Sequence, residues 1–230
     1  TFSLSSRGAC GPSVLITGGS GLVGRYLTSL LLSQGFEVSH LSRGPGQFGR
    51  VRVFRWDPDK GILDPEILRG TDTIIHLAGA NLGEKRWTSR RRIEIVRSRV
   101  ESAGLIRRVL SDNKISIKSF ISASAIAYYG SVTTEKIFSE DDPPSQDFLA
   151  ETCRLWEEAA DSFASLGTRV VKLRTAIVLE KTDSALAKLM LPGRAGFLVI
   201  TGSGRQYMPW IHISDLCRIY FKAVTDSTMS

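Results

Sequence analysis

Residues 14–24 read VLITGGSGLVG, an apolar run that breaks into glycines spaced G-x-x-G-x-x-G at Gly18, Gly21 and Gly24. Val14-Leu15-Ile16-Thr17 has the character of a buried parallel strand, and Leu22, Val23, Tyr26, Leu27, Leu30 and Leu31 follow in a helical pattern. A glycine-rich turn between strand and helix brings the backbone of Gly18, Gly19, Ser20, Gly21, Leu22, Val23 and Gly24 against a pyrophosphate at the helix start. Gly18 permits the tight turn, Gly21 lets backbone approach phosphate, and Gly24 lets the helix pack on the strand. The chemistry implied is dinucleotide binding.

A second cue follows about 20 residues on, where an NAD-specific site carries Asp or Glu on the ribose 2′-OH. Here the strand ends in Leu41-Ser42-Arg43. A hydroxyl and a guanidinium suit a 2′-phosphate, so the pair favours NADP(H) over NAD(H). Small residues at Leu77-Ala78-Gly79-Ala80 let backbone lie against the cofactor's ribose and phosphates. His76, inside the preceding strand, reads as structural. Ser122-Ala123-Ser124 ends another strand, with hydroxyls facing the nicotinamide.

Positioning these loops requires alternating strands and helices. Strands are expected at 14–17, 37–41, 51–55, 73–77, 119–122 and 169–173. Helices are expected at 22–34, 88–110 and 147–166, with a short one at 65–68. Right-handed crossovers then give a doubly wound α/β Rossmann sheet in the order 3-2-1-4-5-6, with the ligand at the carboxyl ends of the strands. Past Leu173 the pattern loosens: a helix at 184–190, two short strands interrupted by Gly193, Gly196, Gly202 and Gly204, and a last helix capped near Ser214-Asp215. The division expected is a flexible segment at 1–12, an NADP-binding domain at 13–175 and a small lobe at 176–230 packed on the sheet edge.

The chain has 230 residues, 42% hydrophobic and 23% charged, and carries a net charge of +7. No apolar run approaches the roughly 20 residues of a membrane span. Cys10, Cys153 and Cys217 stand in no metal spacing and imply a reducing compartment, cytoplasm or organelle matrix. The first dozen residues fit the remnant of a transit segment or a flexible tail equally. Lys85-Arg86, Arg90-Arg91-Arg92, Arg97, Arg99, Arg107 and Arg108 are read as one helix with a solvated basic face, rather than a nucleic-acid surface.

The glycine motif together with HLAGAN, SASAIAYYG and GSGRQYMPWIHISDL resembles the short-chain dehydrogenase/reductase superfamily, on its extended, NAD-dependent epimerase/dehydratase side. More closely, these blocks with EKRWTSRR and DFLAETCRLWEEAA resemble an atypical epimerase-like subgroup, some of it labelled cell-division-inhibitor homologues. The resemblance spans about residues 14–217. It implies NADP(H) binding, a C-terminal substrate lobe that is incomplete here, a small-molecule substrate and pairing into a homodimer. The superfamily's working set is Ser or Thr after the fifth strand and Tyr-x-x-x-Lys on the next helix, the lysine lowering the tyrosine pKa. That helix here holds no Tyr and no Lys: Phe148 or Leu149 stands at the tyrosine position and Thr152 or Cys153 at the lysine position.

Substitutes are available nearby. Ser124 is the residue retained from the usual set, and it would polarise a substrate oxygen. Tyr128 or Tyr129 follows as a proton donor, or else as an aromatic wall. Glu151 or Arg154 reaches the site from the helix start, or lies on the surface. Arg205 holds an anionic substrate or pairs with Asp215, and His212 reads as structural. The sequence therefore supports an NADP(H)-binding, epimerase/dehydratase-like oxidoreductase without the Tyr-x-x-x-Lys pair, or a non-catalytic NADP(H)-responsive binding or regulatory protein.

Overall fold

The computed structural model describes residues 11–44, 49, 51–131, 134–181, 196 and 203–230. Six parallel strands, β1 (Ser13–Thr17), β2 (Glu37–Ser42), β3 (Arg52–Arg55), β4 (Thr73–His76), β5 (Ser119–Ala125) and β6 (Arg169–Thr175), form one sheet in the order β3-β2-β1-β4-β5-β6. This is the doubly wound order expected, with β1 central between β2 and β4. Val14, Leu15 and Ile16 are all fully buried. Both faces of a parallel sheet are covered, so its strands read as continuous apolar runs.

Successive residues of β1 feed two cores. Val14 and Ile16 join Ile75, Ile121 and Val171 under α1 (Leu22–Ser33) and α4 (Ile213–Thr225). Leu15 joins Ile74 and Phe120 under α2 (Ser89–Asp112) and α3 (Phe148–Asp161). The ring of Phe120 stacks on Phe163 at 3.7 Å between centroids, in the short helical turn of 162–166 that continues α3. A second sheet pairs β7 (Ile177–Leu179) in parallel with β8 (Trp210–His212). No helix among the described residues is long and apolar enough to cross a membrane.

Two expectations change. The last helix does not sit at the sheet edge: Leu216, Cys217, Tyr220 and Ala223 of α4 share the core of Val14 and Ile16. An amphipathic helix with five buried positions finds its partner on the sheet's open face, beside α1. Its cap is His212 and not Ser214, since the His212 ring accepts from the Ser214 N–H. Two short strands, β7 and β8, stand on either side of the glycine-interrupted stretch. The helix expected at 184–190, with Gly193 and Gly202, lies outside the described residues.

The basic run is likewise not one solvated helix face. Lys85-Arg86 precede α2, which begins after its cap Thr88. Within α2, Arg91 and Arg99 stand on the stripe of Ile95, Ala103, Ile106 and Leu110 and are buried with it. Arg107 donates to the Ser162 carbonyl at 2.9 Å and ties α2 to the turn after α3.

Candidate functional site

A cleft of about 1040 Å³ opens at the carboxyl ends of β1, β2 and β4. Its floor is Gly18, Ser20 and Gly21, its walls Ser42, Arg43 and Leu77-Ala78-Gly79-Ala80. Gly18 has φ +71, and a Cβ there would lie 3.0 Å from the Leu77 carbonyl carbon, so both its conformation and its closeness to β4 require glycine. A Cβ on Gly21 would meet only the Gly18 carbonyl oxygen, at 3.3 Å. Gly21 is the N-cap of α1, and no side chain caps that helix. The first-turn N–H groups, those of Leu22 and Val23 included, are therefore left for an acceptor at the positive end of the helix.

Gly19 and Gly24 shape the turn from behind. A Cβ on Gly19 would reach the His40 ring at 2.5 Å, and one on Gly24 the Gly19 Cα at 2.6 Å. Gly24 thus packs on the glycine turn itself, not on the strand as its spacing implied. The side chains of Leu22 and Val23 join the core of α1.

The wall from β4 is pinned to β1. Thr17 Oγ1 accepts from the N–H groups of Leu77 and Ala78, both at 3.1 Å. With both lone pairs used, its proton goes to His76 Nδ1 at 2.9 Å. His76 Nε2–H then donates to Ser102 Oγ at 3.1 Å, while Ser102 donates to the Ser98 carbonyl. Burial holds His76 down to about 4, so the ring is neutral and structural, as its place within the strand implied.

Cations dominate the cleft's rim. Arg43, Lys85, Arg86, Arg90, Arg91 and Arg97 line it against two carboxylates, Asp59 and Glu94. Arg91 is buried, bonds the Asn81 carbonyl at 2.6 Å and pairs with Glu94 at 2.8 Å. The Arg91 bond holds the Glu94 carboxyl below its ordinary value, with Lys85 and Arg43 contributing. Arg99 lies behind Gly79, bonds the Ala80 carbonyl and stacks over Trp156 at 4.8 Å. The sequence pattern that marks Arg91 and Arg99 is their spacing with Ile95, four residues apart on a helix face otherwise apolar.

The end of β5 carries a second cluster. Ser122 is buried and its hydroxyl donates to the Ala123 carbonyl at 2.9 Å. Ser124, still inside the strand, is 4% exposed and donates to Glu157 Oε1 at 2.7 Å. Glu157 of α3 is held by Arg174 of β6 through two bonds of 2.9 Å. Burial pushes the Glu157 carboxyl up, but the bonds from Arg174 and Ser124 outweigh it and hold it below its ordinary value. Ser122, Ala123 and Ser124 do not line the dinucleotide cleft. In this arrangement the Ser124 proton is directed to Glu157.

Arg174 also stacks over Tyr128 at 3.7 Å and donates to the Tyr129 hydroxyl at 2.7 Å. Tyr129 donates in turn to the Ser139 carbonyl at 2.8 Å and stacks on Phe138, so it is the aromatic wall. The Tyr128 hydroxyl makes no hydrogen bond among the described residues. On α3, Asp147 caps the helix by accepting from Leu149 and Ala150. Glu151 and Arg154 pair with one another on the surface and do not reach the site. Cys153 is buried, and burial pushes its thiol up to about 11, which favours the neutral thiol. Asp215 pairs with Arg218, at 3.2 Å, rather than with Arg205. No sequence spacing joins positions 124, 157 and 174; only the sheet and α3 bring Glu157 and Arg174 to Ser124.

Comparison with known proteins agrees with this architecture. The model of the NAD dependent epimerase/dehydratase family matches residues 14–229. Epimerase family protein Mb2239 of Mycobacterium bovis is 31% identical over 218 residues, covering 94% of this chain and 70% of the relative. The crystal structure of human epimerase family protein SDR39U1 (isoform 2) with NADPH superposes with a TM-score of 0.79 at 31% identity, over 94% of this chain and 71% of that one. MoeE5 in complex with UDP-glucuronic acid and NAD superposes at 0.78 with 26% identity, over 93% and 72%. A matching family model across nearly the whole chain, a relative at this identity and a shared six-stranded parallel sheet lead to one conclusion: the chain belongs to the NAD dependent epimerase/dehydratase family.

Proposed function

We propose that the protein is an NADP(H)-dependent oxidoreductase of the epimerase/dehydratase type that works without Tyr-x-x-x-Lys. The observation that carries this is the cleft itself: an uncapped helix start beside Gly21, under a rim of six cationic side chains. Such a cradle fits a dinucleotide with an extra phosphate, as bound in the human relative's structure. When bound, the dinucleotide supplies hydride transfer to a carbonyl or from an alcohol.

This chain's residues then supply binding and the proton. Gly18, Ser20 and Gly21 hold the pyrophosphate, Leu77 to Ala80 the ribose, and Ser42 with Arg43 the 2′-phosphate. Tyr128 carries the proton: its hydroxyl makes no hydrogen bond among the described residues, and the Arg174 guanidinium packs over its ring and fixes it in place. Ser124 and Glu157 position Arg174 for that task.

The test is titration with NADPH and NADH, followed by turnover across a panel of carbonyl substrates. Turnover that Tyr128→Phe abolishes, with NADPH affinity and Tyr129→Phe turnover preserved, supports the assignment. The second reading is a binding protein that holds NADP(H) without using it. It is favoured by two hydroxyls whose protons are already engaged, Ser124 with Glu157 and Tyr129 with the Ser139 carbonyl. Tight NADPH binding with no oxidation across the panel decides for it.

A further inference from the structure

A second cavity, of about 670 Å³, lies apart from the dinucleotide cleft and shares none of its described lining residues. The segment after β5 lines it with Ile126, Tyr129, Ile137 and Phe138, and the segment before β8 with Tyr207 and Pro209. Tyr129 and Phe138 stack with 4.8 Å between centroids and 22° between planes. Ile137 is 93% exposed and Tyr207 67%, so two apolar side chains from separate segments open onto one concave space. Apolar surface gathered around a cavity of this size marks a ligand site, because a ligand that fills it releases the water against it. The charges select the ligand. Lys136 is the one cation among the described lining residues, and it is engaged: its Nζ pairs with Asp142 at 2.6 Å and lies 4.7 Å over the Phe138 ring. Glu135 adds a carboxylate with no ion pair among the described residues, which leaves the lining net negative. Arg205, expected to hold an anionic substrate, does not line this space. The diphosphate of a nucleotide sugar would find no counter-charge here. Thr134, also in the lining, accepts from the Lys136 N–H at 3.1 Å, and its hydroxyl donates to nothing among the described residues. One proton is left for a neutral acceptor such as a carbonyl oxygen.

We propose that this cavity binds a neutral aryl carbonyl compound, its ring against Phe138, Ile137 and Tyr207 and its oxygen on the Thr134 hydroxyl, and that it does not accept a nucleotide sugar. Tyr128 meets the lining residue Tyr129 edge-on, with 5.4 Å between centroids, so the cavity lies one ring away from the proton carrier proposed above. That the bound carbonyl is the substrate rests on the oxidoreductase reading; the binding stands without it.

The experiment is calorimetric titration of the whole chain and its Ile137→Ser, Tyr207→Ser and Thr134→Val variants with 2-acetylnaphthalene, UDP-glucuronic acid and NADPH. All three residues are exposed, and thermal melts check that each variant folds. The ketone should bind the unmodified chain, and Ile137→Ser and Tyr207→Ser should each weaken it about tenfold through lost apolar and ring contact. Thr134→Val should weaken it about fivefold, the worth of one hydrogen bond. NADPH affinity should stay within about twofold in all three. No binding of the ketone, or ketone binding that the three variants leave unchanged, would overturn the proposal. So would UDP-glucuronic acid binding that Ile137→Ser and Tyr207→Ser weaken. Ketone binding that falls as expected in a chain that binds no NADPH keeps this inference and ends the oxidoreductase reading. NADPH-dependent reduction of the ketone at the same rate and the same KM in Ile137→Ser and Tyr207→Ser keeps that reading and overturns this inference.

Discussion

Ser124 Oγ donates to Glu157 Oε1 over 2.7 Å, joining the end of β5 to the middle of α3. Glu157 is 5% exposed and its carboxylate carries the full charge of Arg174 as well. The bond makes Ser124 a structural partner of a buried ion pair. Hydrogen bonds to buried charged groups contribute about 1.5–3 kcal/mol, and breaking a buried pair costs about 3–5. Urea unfolding should therefore show Ser124→Ala less stable by about 2 kcal/mol and Glu157→Ala by about 4. The double variant should lose less than the sum, since both remove one network. Full additivity would mean that the Ser124 bond contributes nothing to holding Glu157.

This network marks the boundary of what the sequence could convey. The strand order, the glycine turn and the cleft-lining loops at Ser42-Arg43 and Leu77 to Ala80 follow from local apolar runs and the rule that ligands sit at strand carboxyl ends. The Ser124–Glu157–Arg174 chain does not, because its members meet only through β5–β6 pairing and the packing of α3. The buried arginines of α2 escape the sequence for a different reason. Arg91 and Arg99 are polar letters on an apolar stripe, and a count of charge hides the helical phase that buries them. The place of α4 on the sheet's face was likewise open to view in its apolar spacing, but not which face of the sheet lacked a cover.

Replacing Arg43 should change cofactor choice rather than cofactor binding. It is exposed at the rim and pairs with no acid in salt-bridge range among the described residues, so its charge is free for a ligand. Arg43→Asp puts a carboxylate where a 2′-OH can donate and a 2′-phosphate is repelled. NADPH affinity should fall at least about tenfold and NADH affinity rise, read by cofactor fluorescence titration. An unchanged ratio of the two constants would show that Arg43 does not meet the 2′-phosphate.

Acid should weaken the fold through His76. Its ring is completely buried between Thr17 and Ser102, and burial holds it at about 4 against 6.5 when unfolded. Between those values the unfolded chain binds a proton that the native chain refuses, so stability rises with pH. The contribution is complete above about pH 6.5 and is lost as pH falls toward 4, worth roughly 3 kcal/mol. His40 is also lowered by burial and steepens the same limb. His76→Gln should flatten it: the stability gap between wild type and variant should narrow by about that amount from pH 7 to pH 4.5. Parallel pH profiles would place the acid sensitivity elsewhere.

Two alanine substitutions two positions apart should fail in different ways. A methyl on Gly19 would lie 2.5 Å from the His40 Cγ and Nδ1. That ring has nowhere to retreat, being 3% exposed and bonded through Nε2 to Thr28 Oγ1 at 2.8 Å. Overpacking of this kind costs about 1–3 kcal/mol. A methyl on Gly21 meets only the Gly18 carbonyl oxygen at 3.3 Å and otherwise enters the cleft. Gly19→Ala should therefore lower the urea midpoint, with NADPH affinity following only as far as the fold is lost. Gly21→Ala should keep the midpoint close to wild type and weaken NADPH binding, because the methyl occupies the approach of phosphate to the α1 N–H groups. The opposite pattern, a stable Gly19→Ala and an unfolded Gly21→Ala, would mean that His40 yields and that the turn at Gly21 is what the fold requires.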